Sequence, residues 1–257
     1  RRRSSSTSRT PTATGDFLFK RLHHQQVAEA LSTLDARLLA EHNCWFGGGT
    51  AIVLANGEFR ESVDIDFLVS DSPSYRALRQ MVRDHGLSAL TTRDLEIGRT
   101  PSVDGDGIRT TLLVAGVAIK FEIIHEGRID LDTPAPGDEI CGVRVLTRAD
   151  QVATKLLAND DRWADTSTFS RDLIDLAMMK PDTAALKSGA RKAVDAYGNT
   201  VGESLDKAVT YLRDRPQRLD GYIHALKIDA PRAVVWQSIR RLSARFAQIE
   251  GIGRSSD

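Results

Sequence analysis

The stretch Phe46–Gly47–Gly48–Gly49–Thr50 and, fourteen residues on, Asp64–Ile65–Asp66 inside an apolar run constrain this chain more than any other feature. Consecutive glycines admit a tight turn, and a turn that opens a short helix presents free N–H groups to phosphate. The two Asp stand at i and i+2, which on a strand puts both carboxylates on one face. Strand, glycine turn, helix and carboxylate strand in that order predict an α/β unit. One face of it is a candidate site for Mg²⁺ and a nucleoside triphosphate. A calcium loop of the EF-hand type, counted from Asp64, would need Gly and Glu where Val69 and Tyr75 stand.

Apolar spacing extends this unit in both directions. Phe19, Leu22, Val27, Leu31, Leu34, Leu38 and Leu39 share a stripe that predicts one or two helices between Asp16 and Glu41. Asn43 to Gly47 reads as a short buried strand, and Thr50 to Asn56 as a helix ended by Gly57. Ser62 to Ser70 reads as a strand with Asp64, Asp66 and Leu68 on one side and Val63, Ile65, Phe67 and Val69 on the other. Pro73 to His85 is expected to be helical, with Tyr75, Leu78 and Val82 inward and Gly86 closing it. Strands are expected near 87–97, 108–114 and 117–125, with turns at Asp104–Gly107 and Ala115–Gly116, and a last short strand at Val143–Leu146.

After Thr147 the texture changes. Thr147–Arg148–Ala149–Asp150 has the form of a helix cap, and helical periodicity then runs to Gln248. Breaks fall near Asp165–Ser167, Lys180–Pro181, Gly198–Asn199, Arg215–Pro216 and Ala230–Pro231, with Pro231 suited to the first position of the final helix. The expected class is α+β. A disordered basic tail at 1–14 precedes an α/β unit with a mixed sheet and flanking helices at 15–146, and a helical bundle follows at 147–257.

Basic and acidic side chains balance at 35 each, so no global charge argues for nucleic-acid binding. Local clusters do exist: residues 181–257 hold 13 Lys or Arg against 9 Asp or Glu, with Arg213, Arg215 and Arg218 together and Arg240, Arg241 and Arg245 on the last helix. An RNA-facing surface and an ordinary solvated helix face are both open readings of them. Two cysteines, Cys44 and Cys141, make no disulfide framework and suit a reducing compartment. No apolar run approaches a membrane span, and Arg1 to Thr14 lacks the apolar segment of a secretory signal. Cys44 reads as a small buried hydrophobe. His23 and His24 have no ligand partners at metal-binding spacing, and Trp163, near Lys155, reads as core or as a surface for a base to stack on.

The chemistry gathers around the two Asp. Hard oxygen ligands at Asp64 and Asp66, with Ser62 beside them, suit one or two Mg²⁺ ions bridging triphosphate oxygens. Glu122 alternates with Phe121 and Ile123, so it falls on a polar face as a candidate third metal carboxylate. Lys155 lies beside Val152 at the edge of an apolar helix stripe, where its stem is anchored and its charge free to reach phosphate. Asp172 flanks the stripe of Phe169, Leu173, Leu176 and Ala177, and Asp175 lies one turn further round; both can face one cleft.

Phe46-Gly-Gly-Gly-Thr-Ala51, Arg60-Glu-Ser-Val-Asp-Ile-Asp-Phe67, Lys155-Leu-Leu-Ala158 and Arg171-Asp-Leu-Ile-Asp-Leu176 together resemble the AbiEii/AbiGii toxin family, which belongs to the DNA polymerase β-like nucleotidyltransferases. The resemblance spans roughly residues 20–180, with four segments in order. It implies a cytoplasmic bacterial toxin of a type IV toxin–antitoxin or phage-defence system, restrained by a cognate antitoxin. It also implies nucleotide transfer from an NTP to RNA, in some members to the tRNA 3′ end, with Mg²⁺ or Mn²⁺. By position, Gly48, Gly49, Thr50, Ser62 and Lys155 would hold the nucleotide, and Asp64, Asp66 and Glu122 the metal. Asp64, Asp66, Lys155 and Asp172 would carry catalysis. Two other readings stay open: the same chemistry on a protein or small-molecule hydroxyl, and a catalytically idle nucleotide- or RNA-binding partner.

Overall fold

Local capping sets many of the boundaries. The computed structural model describes residues 19–249; the expected tail at 1–14 and the outer ends of the two predicted units lie outside them. Helix α1 (Leu22–Thr33) buries Val27, Ala30 and Leu31, and α2 (Ala36–Glu41) starts where the Asp35 carboxylate accepts the Leu38 N–H at 2.9 Å. Strand β1 (Trp45–Gly47) is fully buried and turns at once into α3 (Gly48–Ala55), which takes up residues 48–49 ahead of the expected Thr50 start. Strand β2 (Ile65–Val69) is shorter than expected, so Ser62 and Asp64 precede it in a loop. Helix α4 (Ser72–His85) is capped by Asp71, buries Tyr75, Leu78 and Val82, and stops at Gly86 with φ +73°.

The expected strand over 87–97 does not form as read. Leu87 and Leu90 occupy a single 3₁₀ turn, whose three-residue repeat aims both into the core, and β3 begins later, at Glu96–Val103. Strands β4 (Gly107–Val114) and β5 (Val117–His125) follow, then the short pair β6 (Glu139–Ile140) and β7 (Val143–Arg144).

The five-stranded sheet runs in the order β1-β2-β5-β4-β3, with β2 and β5 parallel and the other pairs antiparallel. Its core face carries Ile65, Phe67, Phe121, Ile123, Ile108 and Leu112, packed with residues of α1 and α4. The opposite face carries the polar residues of β2 and β5 and looks toward the helices that follow.

Those helices are α5 (Arg148–Arg162), α6 (Arg171–Met178), α7 (Thr183–Tyr197), α8 (Thr200–Arg213), α9 (Pro216–Ala225) and α10 (Arg232–Phe246). Thr147 caps α5 as predicted, whereas Pro231 stands just before α10 as its cap residue. At Gly189 a side chain would collide with the Ala149 carbonyl and Val152, so glycine lets α7 lie directly on α5. Helix α3 joins the two regions: Ala51 and Leu54 pack into the sheet core, Ile52 and Val53 into the helical core. The glycine turn at its start is thereby fixed against both. Among the described residues no helix is long and apolar enough to cross a membrane.

Candidate active site

Sheet register builds one wall. Gly47 pairs with Asp66, Asp66 with Glu122, and Glu122 with Arg109, so these positions form one row across four strands. Gly48 has φ +68°, and a side chain there would strike the Asp66 carboxylate; one at Gly49 would strike the Arg60 guanidinium. The turn is bare because neighbouring polar groups occupy the space a Cβ would need. Thr50 is buried behind it, its Oγ1 2.8 Å from Ser62 Oγ.

The loop from Glu58 to Asp64 forms the rim and is held from several sides. Glu58 accepts the Lys20 and Arg21 N–H groups at 2.8 and 3.0 Å and lies 2.8 Å from His24 Nδ1; the other ring nitrogen of His24 is 3.2 Å from the Ser62 amide. Arg60, almost fully buried, donates from Nε and Nη2 to the two oxygens of Asp175 at 2.6 and 2.8 Å.

Asp175 opens a chain of buried charges. Lys155 Nζ lies 2.7 Å from Asp175 and 3.0 Å from Asp172, and Arg162 donates to both oxygens of Asp172 at 2.7 and 3.0 Å. Three cations therefore share two buried carboxylates and leave a surplus positive charge. Burial works against the charge on Asp172, but Lys155 and Arg162 outweigh it and hold its pKa far below the usual range; Arg60 and Lys155 do the same for Asp175.

Asp66 behaves in the opposite way. Enclosure comes first, then the charges of Asp64 and Glu122, and together they push its pKa up to about 6. No hydrogen bond or ion pair to the Asp66 carboxylate is found among the described residues. A cavity of about 410 Å³ joins these groups, lined by Gly48, Gly49, Ser62, Asp64, Asp66 and Glu122 on one side and Lys155, Arg162 and Asp172 on the other. Two hard oxygen donors facing a shared space, one under electrostatic stress, fit a divalent cation as far as the donor chemistry goes.

Asp64, Asp66, Ser62, Gly48, Gly49, Lys155 and Asp172 thus meet at one cavity, with Thr50 behind its wall. Glu122 lines the same cavity but is held by cations. Its carboxylate contacts Lys120 and lies 3.3 Å from Arg109 Nε, and no three-carboxylate metal cluster is gathered among the described residues. The expectation of Glu122 as a third metal ligand missed these cations. Lys120 stands two residues before Glu122 on the same strand face, which spacing shows, whereas Arg109 reaches Glu122 from β4 through sheet register, which spacing within one strand does not reveal. Trp163 does not line the cavity but packs on the helical core, and Cys44 is fully buried.

Three contributors escaped the sequence reading: Arg60, Arg162 and the pair His24–Glu58. Arg162 carried a signal, since it follows Lys155 by seven residues, two turns on the same helix face. Arg60 stands next to buried Phe59, but its partner lies 115 residues away.

The family described as nucleotidyl transferase AbiEii toxin, type IV TA system, matches residues 29–246. The chain belongs to the AbiEii family. It is therefore a member of a nucleotidyltransferase family of type IV toxin–antitoxin systems, for which an NTP substrate and an antitoxin partner are implied. The match includes all of α7–α10, beyond the four motifs read from the sequence. Two solved structures from Helicobacter pylori are similar to this AbiEii-family chain. One is a candidate nucleotidyltransferase, 20% identical, covering 89% of this chain and 97% of that one with a TM-score of 0.48. The other is JHP933, 19% identical, covering 90% and 95% with a TM-score of 0.49. No curated protein compared with the chain matches it.

Proposed function

We propose that the cavity binds an NTP and that the chain transfers its nucleotide to a hydroxyl of an RNA acceptor, the 3′ end of tRNA. One observation carries this reading: the electrostatically stressed Asp66 and its neighbour Asp64 face a buried, net-positive wall across a cavity beside a bare glycine turn. In the reaction the acceptor oxygen bonds to the α-phosphorus, the bond from that phosphorus to the pyrophosphate oxygen breaks, and pyrophosphate leaves. Mg²⁺, or Mn²⁺ in its place, held by Asp64 and Asp66 would supply charge neutralisation at the phosphates. The N–H groups that open α3, with the Ser62 hydroxyl, donate to the triphosphate. Lys155 and Arg162 present the surplus positive charge that favours it, and Asp172 and Asp175 hold those cations in place. The hydroxyl proton passes to one of the Asp pair. Glu122, engaged by two cations, is left out of the metal set.

The RNA acceptor is supported by exposed arginines on the helices, Arg213, Arg218, Arg240 and Arg241, and by Arg215 in the turn between α8 and α9. Arg245 is not among them, because it donates to the Pro181 carbonyl at 2.6 Å. A tRNA substrate would place the work in the cytoplasm. The test is incubation of the protein with Mg²⁺, each labelled NTP and total tRNA, alongside protein and small-molecule acceptors. Label in RNA supports the proposal. Label in protein or small molecules moves the acceptor, and no transfer with any of them overturns it.

A further inference from the structure

His24 lies outside the cavity lining, fully buried in α1, yet both of its ring nitrogens are engaged. The backbone N–H of Ser62 can only donate, so the Nε2 it meets carries no proton, and Nδ1–H therefore donates to Glu58. The ring is neutral and in one tautomer, and burial, the largest influence on it, lowers its pKa. Beyond Ser62 the connection continues: Ser62 Oγ meets Thr50 Oγ1 at 2.8 Å, and the position a Gly49 side chain would take is 3.3 Å from Ser62 Oγ. Hydrogen bonds thus tie Glu58 to His24 and His24 to the Ser62 backbone, and the side chain of the same Ser62 is bonded to Thr50 beside the glycine turn. Ser62 stands midway between Arg60, anchored on Asp175, and the start of β2, and His24 is what holds its amide.

We propose that His24 is a positioning residue for the nucleotide: through the Ser62 amide it orients the Ser62 hydroxyl and the glycine turn toward the triphosphate. The inference rests on the reading of the cavity as an NTP site. Removing the acceptor at Nε2 leaves the part-buried Ser62 N–H without its protein partner and lets the loop between its two anchors turn, which weakens nucleotide binding without touching the acceptor hydroxyl.

Binding of ATP, GTP, CTP and UTP by calorimetry, with steady-state transfer kinetics, tests it on four proteins: wild type, His24→Asn, His24→Gln and the double variant His24→Asn/Ser62→Ala. Asn keeps a donor near the place of Nδ1 and nothing at that of Nε2. Its affinity for the NTP should fall about tenfold, with kcat at saturating NTP and KM for the acceptor nearly unchanged, the loss of one part-buried hydrogen bond at an oriented group. Gln, whose amide reaches the place of Nε2, should restore affinity. Adding Ser62→Ala to His24→Asn should weaken binding by less than about twofold more, because the two act through one contact. Wild type that binds none of the four NTPs removes the nucleotide reading and this inference with it. Wild type that binds while His24→Asn binds equally well overturns the inference alone. Should His24→Asn fail to fold, nitrogen resonances of the wild-type histidines decide: His24 Nε2 must show no proton and must shift on NTP saturation, and an unmoved resonance overturns the proposal.

Discussion

Replacing Asp66 by Asn should make the metal-free protein more stable, although the residue sits at the heart of the site. Its carboxyl is raised from the ordinary 3.8 to about 6, so at neutral pH the folded state carries a charge it disfavours. About 2 units at ~1.4 kcal/mol each, trimmed for solvent in the open cavity, is about 2 to 3 kcal/mol. For an acid whose folded pKa is raised, the sign is unambiguous. The native state binds the proton more tightly than the unfolded one, so the penalty is absent below about pH 4, grows as pH rises to about 6, and is complete above it. The neutral amide of the variant carries no such charge and escapes the penalty. In EDTA at pH 8 the variant should melt roughly 5–10 °C above wild type for a chain of this size, and the gap should shrink to about half at pH 5. Mg²⁺ should narrow it again at pH 8 by stabilising wild type only; a cation at about ten times its Kd contributes ~1.4 kcal/mol. Thermal and urea melts of both proteins at the two pH values, with and without Mg²⁺, measure the shift in Tm and the free energies behind it. A variant that melts at or below wild type in EDTA at pH 8, or a gap indifferent to pH, would refute the reasoning.

Lys155→Met strands Asp172 and Asp175 with fewer cations, so it should cost about 3–5 kcal/mol in denaturant unfolding and abolish transfer; a loss below about 1 kcal/mol would show that Arg60 and Arg162 suffice. Gly48→Ala forces a side chain into a φ of +68° and against Asp66, and should lower stability by about 1–3 kcal/mol together with NTP binding, read by melting and calorimetry. Glu122→Gln should leave the Mg²⁺ concentration for half-maximal transfer within about twofold of wild type, since Lys120 and Arg109 hold that carboxylate; a tenfold rise would return Glu122 to the metal set. Gly189→Leu should cost several kcal/mol, about 3 or more, by prising α7 from α5, while Gly221→Ala at an exposed position of α9 should be neutral or mildly stabilising in the same melts.

Much of the site was legible because its pieces are local. Gly48 takes a φ of +68° in a local turn that favours glycine, although the Asp66 carboxylate that would also block a side chain there comes from β2, and Asp64 and Asp66 lie close enough to share a direction. Lys155 falls on the inner side of α5 by helical period alone. Caps at Asp35, Asp71, Thr147 and Asp182 likewise depend on residues three positions away, so most helix starts could be read within a few residues. What the sequence by itself determined is therefore the elements and the groups each one presents. Only the tertiary structure decided how those groups are spent. Arg60 meets Asp175 across 115 residues, His24 meets Ser62 across 38, and Glu122 turns to Arg109 of a neighbouring strand. Pairings of buried charges are settled by which side chains packing leaves within reach in a region water cannot screen, and that is a property of the assembled core.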